Sequence, residues 1–272
     1  MTNLSRSQRG TTNTLAHLQT LRPIALCRHY FNVQFDEQCV QVFATGETWC
    51  ELTVTWAVGV LPDGDWEALG AWPGGAVGSA FWLGVSQDLD YRGVDKISLI
   101  CAADLDARAL YPWAKVLPRF RGILGLGHVP ATSSVGVLRA EARRAVREAS
   151  GIRAASNALE RLLARSGMGM PAVLSPDWPE VLEQFRPFYS LRPHRRAVVC
   201  AGDQCLERLG LSLNRAVARH GPFADLAAAV SFVAKTISRD ELRLKFSGLS
   251  KVTRPRLRLV GSESAGLASP GH

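Results

Sequence analysis

Three acidic residues, far apart in the chain, have the types and local settings that metal-dependent phosphoryl transfer requires. Asp36 lies in the alternating segment FDEQCVQV, Asp104 ends the apolar segment LICAAD, and Glu207 lies in the helical pattern CLERLGLSLNR. Carboxylate oxygens are the ligands that Mg²⁺ prefers, and two such ions about 4 Å apart activate an attacking oxygen and stabilise a leaving one. The chain has 24 Asp and Glu residues, so spacing alone favours three ordinary surface acids.

The residues around Asp36 predict an antiparallel meander of three strands. Apolar side chains alternate from His29 to Val42, which is the period of a strand. Trp49 to Val60 is rich in β-branched and aromatic residues and predicts a second strand. Pro62-Asp63-Gly64 predicts a turn, and Asp65 to Trp72 predicts the third strand.

The chain around Asp104 predicts a change to alternating helices and strands. A helix is expected from Phe81 to Leu89, then a buried strand from Ile97 to Cys101. Asp106 to Leu117 predicts a second helix and Phe120 to Leu126 a fifth strand. This order is typical of an RNase H-like α/β domain, whose mixed sheet combines an antiparallel meander with parallel strands. Strands one and four are neighbours in that fold, so the three carboxylates are expected to converge.

The second half of the chain predicts helices. Helical patterns run from Val135 to Ser166, Asp177 to Phe188, Leu206 to Asn214 and Leu226 to Ile237. We therefore expect five segments: a lead-in (1–29), the first part of an RNase H-like core (30–130), a helical insertion (131–195), the C-terminal core helices that carry Glu207 (196–245), and a basic, then disordered tail (246–272).

The net charge of +8 is unevenly distributed. Residues 1–136 have 10 basic and 12 acidic groups, net −2, whereas residues 137–272 have 22 basic and 12 acidic groups, net +10. This asymmetry suggests a cation-binding part beside a surface for a polyanion. The alternative is composition bias, because 27 of the 32 basic residues are Arg.

Other features exclude several classes of protein. The chain has no apolar run long enough to span a bilayer and begins without a secretion signal, so we expect a cytoplasmic, nucleoid-associated protein without a membrane. The six cysteines show no zinc spacing and predict reduced, mostly buried thiols. The sequence has no Walker loop, GxGxxG segment or Gly-x-Ser-x-Gly elbow.

A series of short motifs in the right order resembles the Mutator-type family of bacterial insertion-sequence transposases. The motifs are Gly59-Val60, Asp63-Gly64, Leu69-Gly70, Phe81-Trp82, Asp88-Leu89 and Arg92-Gly93-Val94. Upstream, Arg22-Pro23 resembles the family's entry into its first catalytic strand. Downstream, Pro118 precedes His128 by the family's ten residues, and a late helix with Glu207 and Leu209 precedes a Gly and a Phe. The resemblance spans about residues 22 to 240.

The resemblance implies an Asp-Asp-Glu transposase with an RNase H-like core. The catalytic and metal-binding residues would be Asp36, Asp104 and Glu207, holding Mg²⁺ or Mn²⁺ for DNA cleavage and strand transfer. Asp36 would bridge two ions, and each of the other two acids would hold one. His128 would be the family-motif histidine, and the partners would be transposon ends and target DNA. A homo-oligomer is implied as well.

Departures from the family pattern predict a truncated and degenerate copy. The family's Cys-x-x-His is Gly125-Leu126-Gly127-His128 in this sequence, and Asp203-Gln204 replaces a Thr-Asn before the glutamate. Family members also begin with DNA-binding helices that we expect to be missing. The second hypothesis is therefore an inactive remnant that at most binds DNA non-specifically. A stand-alone metal nuclease on the same fold is a third.

Candidate DNA contacts are basic residues near the predicted C-terminal helices. Arg195, Arg196, Arg215 and Arg219 could each approach phosphate, but for Arg195 and Arg196, next to His194, a solvated loop is the better explanation. The four tryptophans Trp56, Trp66, Trp72 and Trp82 lie at strand and helix positions where core packing is the better explanation than base stacking.

Overall fold

The computed structural model describes residues 25–43, 48–74, 78–103, 105–125, 133–167 and 173–246. Within them the strands are β1 (His29–Phe43), β2 (Trp49–Val60), β3 (Trp66–Pro73), β4 (Lys96–Cys101) and β5 (Lys115–Leu117). The α-helices are α1 (Ser79–Tyr91), α2 (Ser134–Glu148), α3 (Ile152–Ser166), α4 (Trp178–Glu183), α5 (Arg186–Tyr189), α6 (Pro193–His220) and α7 (Leu226–Phe246). Short 3₁₀ helices cover Leu105–Ala109 and Phe120–Ile123.

The five strands form one mixed sheet in the order β3-β2-β1-β4-β5. β1 pairs antiparallel with β2, and β2 with β3, whereas β4 is parallel to both β1 and β5. The meander forms as its alternating sequence predicts, with Gly64 in the turn at a φ of 92° that favours glycine. The α/β class and the mixed sheet predicted from the sequence are confirmed.

Two predictions after β4 are wrong. Asp106 to Leu117 does not form a helix: only a 3₁₀ turn, Leu105–Ala109, is helical, and Lys115–Leu117 is the fifth strand, pairing with β4. Pro112 explains the interruption, since its ring removes a hydrogen bond and clashes inside a helix. Phe120 to Leu126 is accordingly not the fifth strand, and its first residues form the second 3₁₀ helix.

The sheet is covered on both faces. On one face, Phe35 packs edge-on against Trp82 of α1, with ring centroids 5.0 Å apart, and near Trp72 of β3. On the other face, valines of β1 and β2 pack with Trp56 and Trp66 against α6 and α7. All four tryptophans predicted to be core residues are buried.

The helices of the predicted insertion pack on the β4–β5 side of the sheet. Phe120, just after β5, contacts Phe185 and Phe188 with ring centroids 4.9 and 5.2 Å away. The same cluster contains Leu117 of β5 and Val146 of α2, so the insertion shares a core with the sheet. The predicted helix from Val135 to Ser166 is two helices, separated at Ser150-Gly151.

The two C-terminal helices are longer than the sequence pattern indicates. α6 has 28 residues and ends at His220, where Gly221 adopts a φ of 75°, as the break at His220-Gly221-Pro222 predicts. No helix in the described part of the chain is both long and apolar enough to cross a membrane.

The cysteines are less buried than predicted. All six are free, but only Cys101 and Cys205 are buried, while Cys27 and Cys39 are exposed. The exposed pair lies outside the core because Cys27 precedes β1 and Cys39 is on the solvent-facing part of that strand. The thiols are therefore not mostly buried.

Candidate functional site

A row of polar side chains is buried along one face of β1. Asn32, Gln34, Asp36 and Gln38 are exposed by 8% or less, and their even spacing places them on the same side of the strand. Gln34 donates from Nε2 to the carbonyl oxygen of Val199 on α6, at 2.9 Å. Burying a polar group costs free energy unless the group has a hydrogen-bond partner. The hydrogen bond of Gln34 shows that α6 supplies such a partner to β1.

Two glycines of α6 face the sheet beside this polar row. A β-carbon on Gly202 would be 2.7 Å from Cγ2 of Val60 and 2.9 Å from Nε2 of Gln34. A β-carbon on Gly210 would be 3.6 Å from Oδ2 of Asp36. The absent side chain of Gly202 therefore sets how closely the helix approaches the strand, whereas a β-carbon at Gly210 would make ordinary van der Waals contact.

Asp36 lies against α6 at a point one helical turn from Glu207. Gly210, which faces Asp36, is three residues after Glu207, and residues at this spacing share a helix face. The rise over three residues is about 5 Å, so the glutamate is about one helical turn from the aspartate along the axis. The structure thus places Asp36 and Glu207 on two elements that contact each other, and the convergence of all three acids stays a prediction because Asp104 lies outside the described residues.

Asp36 is held by two donors. Its Oδ1 atom forms an ion pair with Arg119 and also accepts from the backbone N–H of Glu37 at 2.7 Å. Arg119 comes two residues after β5, and its side chain is only 11% exposed. The parallel β1–β4–β5 ladder therefore positions the arginine that neutralises Asp36.

Glu207 is paired with two arginines of α2. Oε1 of Glu207 forms an ion pair with Arg143, and Oε2 is 3.7 Å from an Nη atom of Arg147. The two arginines are four residues apart and so point from one face of α2. Glu207 is the more accessible of the two candidate acids, with 33% of its side chain exposed.

A further acid, Asp203, lies one turn before Glu207 on the same face of α6. It forms an ion pair with Arg147, and its side chain is 6% exposed. Burial raises the pKa of the Asp203 carboxyl above its ordinary value, although Arg147 and Arg119 act in the opposite direction. Burial also raises the pKa of the neighbouring Cys200 thiol, to about 11.

The described site is balanced in charge. Three carboxylates, of Asp36, Asp203 and Glu207, are matched by the guanidinium groups of Arg119, Arg143 and Arg147. The Nε atoms of these arginines are buried and have no hydrogen-bond partner within the described residues. Buried donors without partners are costly, and guanidinium donors fit phosphate oxygens well. The three Nε atoms are therefore unsatisfied donors within the described part of the site.

Two predicted site residues, Asp104 and His128, lie outside the described residues. β1 and β4 are described up to the pair Gln34–Cys101, three residues before Asp104 in the sequence. Among the residues that the structure describes, no group of three His, Cys, Asp or Glu side chains could hold a metal ion.

The four candidate DNA contacts have different settings. Arg195 is half-buried, and its guanidinium carbon lies 4.6 Å from the centroid of the Phe31 ring. Arg196 donates to the carbonyl oxygen of Ala149 at 3.0 Å and so joins α6 to the end of α2. Arg215 and Arg219 are exposed near the C-terminal end of α6.

Sequence reasoning missed the basic half of the site. Arg119, Arg143 and Arg147 were not selected, and Asp203 appeared only as a departure from a motif. In the sequence, Arg143 and Arg147 are four residues apart, as are Asp203 and Glu207. Each pair therefore lies on one face of its helix, and the two pairs have opposite charges. No local pattern marks Arg119, because its position depends on how β5 joins the sheet.

A protein-family model described as "Transposase, Mutator family" matches residues 3–109. The resemblance noted from the motifs is thereby confirmed for this part of the chain. The match begins upstream of residue 22, and it ends before the positions of His128 and Glu207. Comparison with curated proteins gives no match.

Proposed function

Residues 3–109 are similar to the transposases of the Mutator family, and from this premise we propose that the chain cleaves and joins DNA strands. The reaction is phosphoryl transfer assisted by Mg²⁺ or Mn²⁺, on an RNase H-like core with a helical insertion. The observation that carries the proposal is the contact of Asp36 on β1 with α6, one helical turn from Glu207. Both acids that the resemblance selects from the described part of the chain therefore lie on elements that contact each other, β1 and α6.

The donors fit a hard cation in chemistry. Asp36 and Glu207 offer carboxylate oxygens, and Asp104, expected beside them from the resemblance, would complete the set. Such a cation, when bound, lowers the pKa of an attacking water or 3′-hydroxyl and offsets charge on the phosphate. In the described arrangement Oδ1 of Asp36 and both oxygens of Glu207 lie beside arginines, so a cation would compete with these ion pairs.

The arginines supply the complementary part of the site. Arg119, Arg143 and Arg147 neutralise the three carboxylates and carry buried Nε donors without partners in the described part of the chain. A DNA phosphate entering beside the acids would accept from these donors. We therefore assign to the three arginines the binding and orientation of the reacting phosphodiester.

Partners and assembly follow from the family similarity. The partners are the ends of a transposable element and a target DNA, and pairing two ends requires at least two protomers. The basic second half of the chain, net +10 over residues 137–272, suits non-specific contact with DNA phosphates inside the cell's nucleoid.

One observation favours a second candidate function, that of a DNA-binding protein without cleavage activity. Every acid of the described site already has an arginine partner, so the charge is balanced without a cation. In that case the chain binds DNA by its basic surface, and the carboxylates only stabilise the fold.

Nicking and strand transfer separate the two candidates. Duplexes made from the DNA that flanks the gene on either side would be incubated with the protein and Mg²⁺ or Mn²⁺. The transposase proposal expects nicked and joined products that Asp36→Asn and Glu207→Gln abolish. Asp177→Asn and Glu180→Gln, which change exposed residues at α4, should leave the yield unchanged.

The outcomes decide between the proposals. DNA binding without any product in the unmutated chain would replace the transposase with the non-cleaving DNA-binding protein. We call Asp36 and Glu207 the carboxylate site. Products that persist in folded Asp36→Asn protein would show that the carboxylate site is not the catalytic site. Failure to bind any duplex would remove both candidates.

A further inference from the structure

A cleft with a volume of about 540 Å³ opens at the end of the sheet where β1 and β4 begin. Its lining includes five basic side chains: His29, Lys96, Arg192, His194 and Arg195. None of the described residues that line it is acidic. We call this feature the cationic cleft.

The fold creates the cationic cleft by bringing three chain segments together. His29 and Lys96 are partners in the parallel β1–β4 register, and parallel strands begin at the same end of the sheet. Arg192 and Arg195 come from the beginning of α6, which follows α5 after a short connection. Residues from separate parts of the sequence therefore converge on one concave surface.

The cations of the cleft remain available to a ligand. Lys96 and Arg192 are exposed, and neither they nor Arg195 form an ion pair with a carboxylate in the described part of the chain. The nearest acid in sequence, Asp95, is occupied by Arg28, whose Nε donates to it at 2.7 Å. Arg195 is fixed over the Phe31 ring, so its planar donors are held at the cleft wall.

This chemistry selects a ligand with several spaced negative charges. A single small anion would use one or two of the cations, whereas a phosphodiester backbone presents one charge after another along the cleft. We propose that the cationic cleft binds the phosphodiester backbone of the DNA whose reacting phosphate lies at the carboxylate site. This inference rests on the proposed function and extends it to a second contact on the same DNA.

The spacing between the two sites fits a short DNA segment. Along β1, His29 is seven residues from Asp36, which corresponds to about 23 Å at the rise of a strand. Along α6, Arg195 is twelve residues from Glu207, which corresponds to about 18 Å at the rise of a helix. Each strand of B-DNA carries a phosphate about every 3.4 Å of axis. The cleft should therefore contact the backbone about five to seven base pairs from the reacting phosphate.

The test compares two variants with the same loss of charge. The cleft variant is Lys96→Gln, Arg192→Gln and Arg195→Gln, and the control is Arg144→Gln, Arg153→Gln and Arg161→Gln, three exposed positions on α2 and α3. Binding of a fluorescent duplex would be followed by anisotropy in EDTA over a range of salt concentration. Melting curves would verify that both variants fold.

The cleft variant should bind at least about tenfold more weakly at low salt. Its slope of log K against log salt should fall by about 2.7, the value for three lost phosphate contacts, whereas the control should change the slope by less than about 1. Equal changes in the two variants would overturn the inference, because net charge alone would then explain binding. Duplexes ending within about four base pairs of the reacting phosphate should not distinguish the cleft variant from the control.

Inorganic phosphate, added at constant ionic strength, tests the alternative source of the same chemistry. The inference expects no more displacement of DNA than chloride produces. Saturable phosphate binding that the cleft variant loses, with DNA affinity unchanged, would overturn it. An unmutated chain that binds no DNA refutes the proposed function itself, whereas DNA binding equally affected in both variants refutes only the role of the cleft.

Discussion

Oδ2 of Asp36 lies 3.6 Å from the position that a β-carbon would take on Gly210. Asp36 of β1 and Gly210 of α6 are therefore in contact, with no side chain between them. Eight residues earlier on the same face of α6, Gly202 lies closer to the sheet, where a β-carbon would be 2.7 Å from Cγ2 of Val60. One helix thus offers two glycines with different tolerance to the same substitution.

Gly202→Ala should destabilise the protein, and Gly210→Ala should not. The first β-carbon would overlap the buried side chains of Val60 and Gln34, an overpacking that costs about 1–3 kcal/mol. The second would make ordinary van der Waals contact, and alanine is a better helix former than glycine by up to about 1 kcal/mol. Urea denaturation measures both free energies of unfolding. Equal losses in the two variants would contradict the described approach of α6.

The ion pair between Asp36 and Arg119 leads to a second prediction. Asp36→Asn leaves the guanidinium of Arg119, 11% exposed, without its carboxylate and should cost about 3 kcal/mol of unfolding free energy. Adding Arg119→Met removes the buried charge and should recover most of that loss. Thermal or urea unfolding of both variants, with Asp177→Asn as an exposed control, measures the difference. A double variant no more stable than the single one would show that Arg119 is not neutralised by Asp36.

How much of the fold the sequence predicts depends on how local the determinants are. β1 and β2 follow from alternation within single segments, and their turn from the glycine at position 64. The segment from Asp106 to Leu117 has helical spacing, yet Lys115–Leu117 joins the sheet because β4 offers an unpaired edge. That edge is a tertiary feature, and no pattern within the segment reports it.

The same distinction applies to the candidate site. Asp36 and Glu207 are predicted as metal ligands from the family resemblance, which matches motifs along the chain and needs no knowledge of the neighbours of the two acids in space. Their partners Arg119 and Arg143 come from β5 and α2, whose positions depend on packing around Phe120 rather than on residue spacing. The sequence therefore indicates the acids and leaves their neutralisation to be found in the structure.

Burial of Asp203 predicts a pH-dependent contribution to stability. Because the folded protein raises the pKa of this carboxyl above the ordinary 3.8, the folded state binds the proton more tightly than the unfolded state. The stabilisation is therefore fully present below pH 3.8 and is lost as the pH rises through the folded pKa. Asp203→Asn removes this titration.

Unfolding free energies of the unmutated protein and Asp203→Asn, measured from below pH 3.8 to neutral pH, test this sign. The stability of the unmutated protein relative to the variant should decline as the pH rises. Glu180→Gln, an exposed acid-to-amide change, provides the control and should show no such trend. A relative stability that instead increases with pH would mean that Arg147 outweighs burial at this carboxyl.

Phe120 joins the sheet to the helical insertion, so its truncation should loosen the insertion selectively. The ring contacts Phe185 and Phe188 and shares a core with Leu117 of β5. Phe120→Ala should cost about 4 kcal/mol, as buried phenylalanine truncations do. Phe43→Ala, at a side chain 47% exposed, should cost about 1 kcal/mol or less. Amide hydrogen exchange should then rise most in α4 and α5 and least in β2 and β3, where the core is separate. Uniformly raised exchange would show instead that the insertion and the sheet open as one unit.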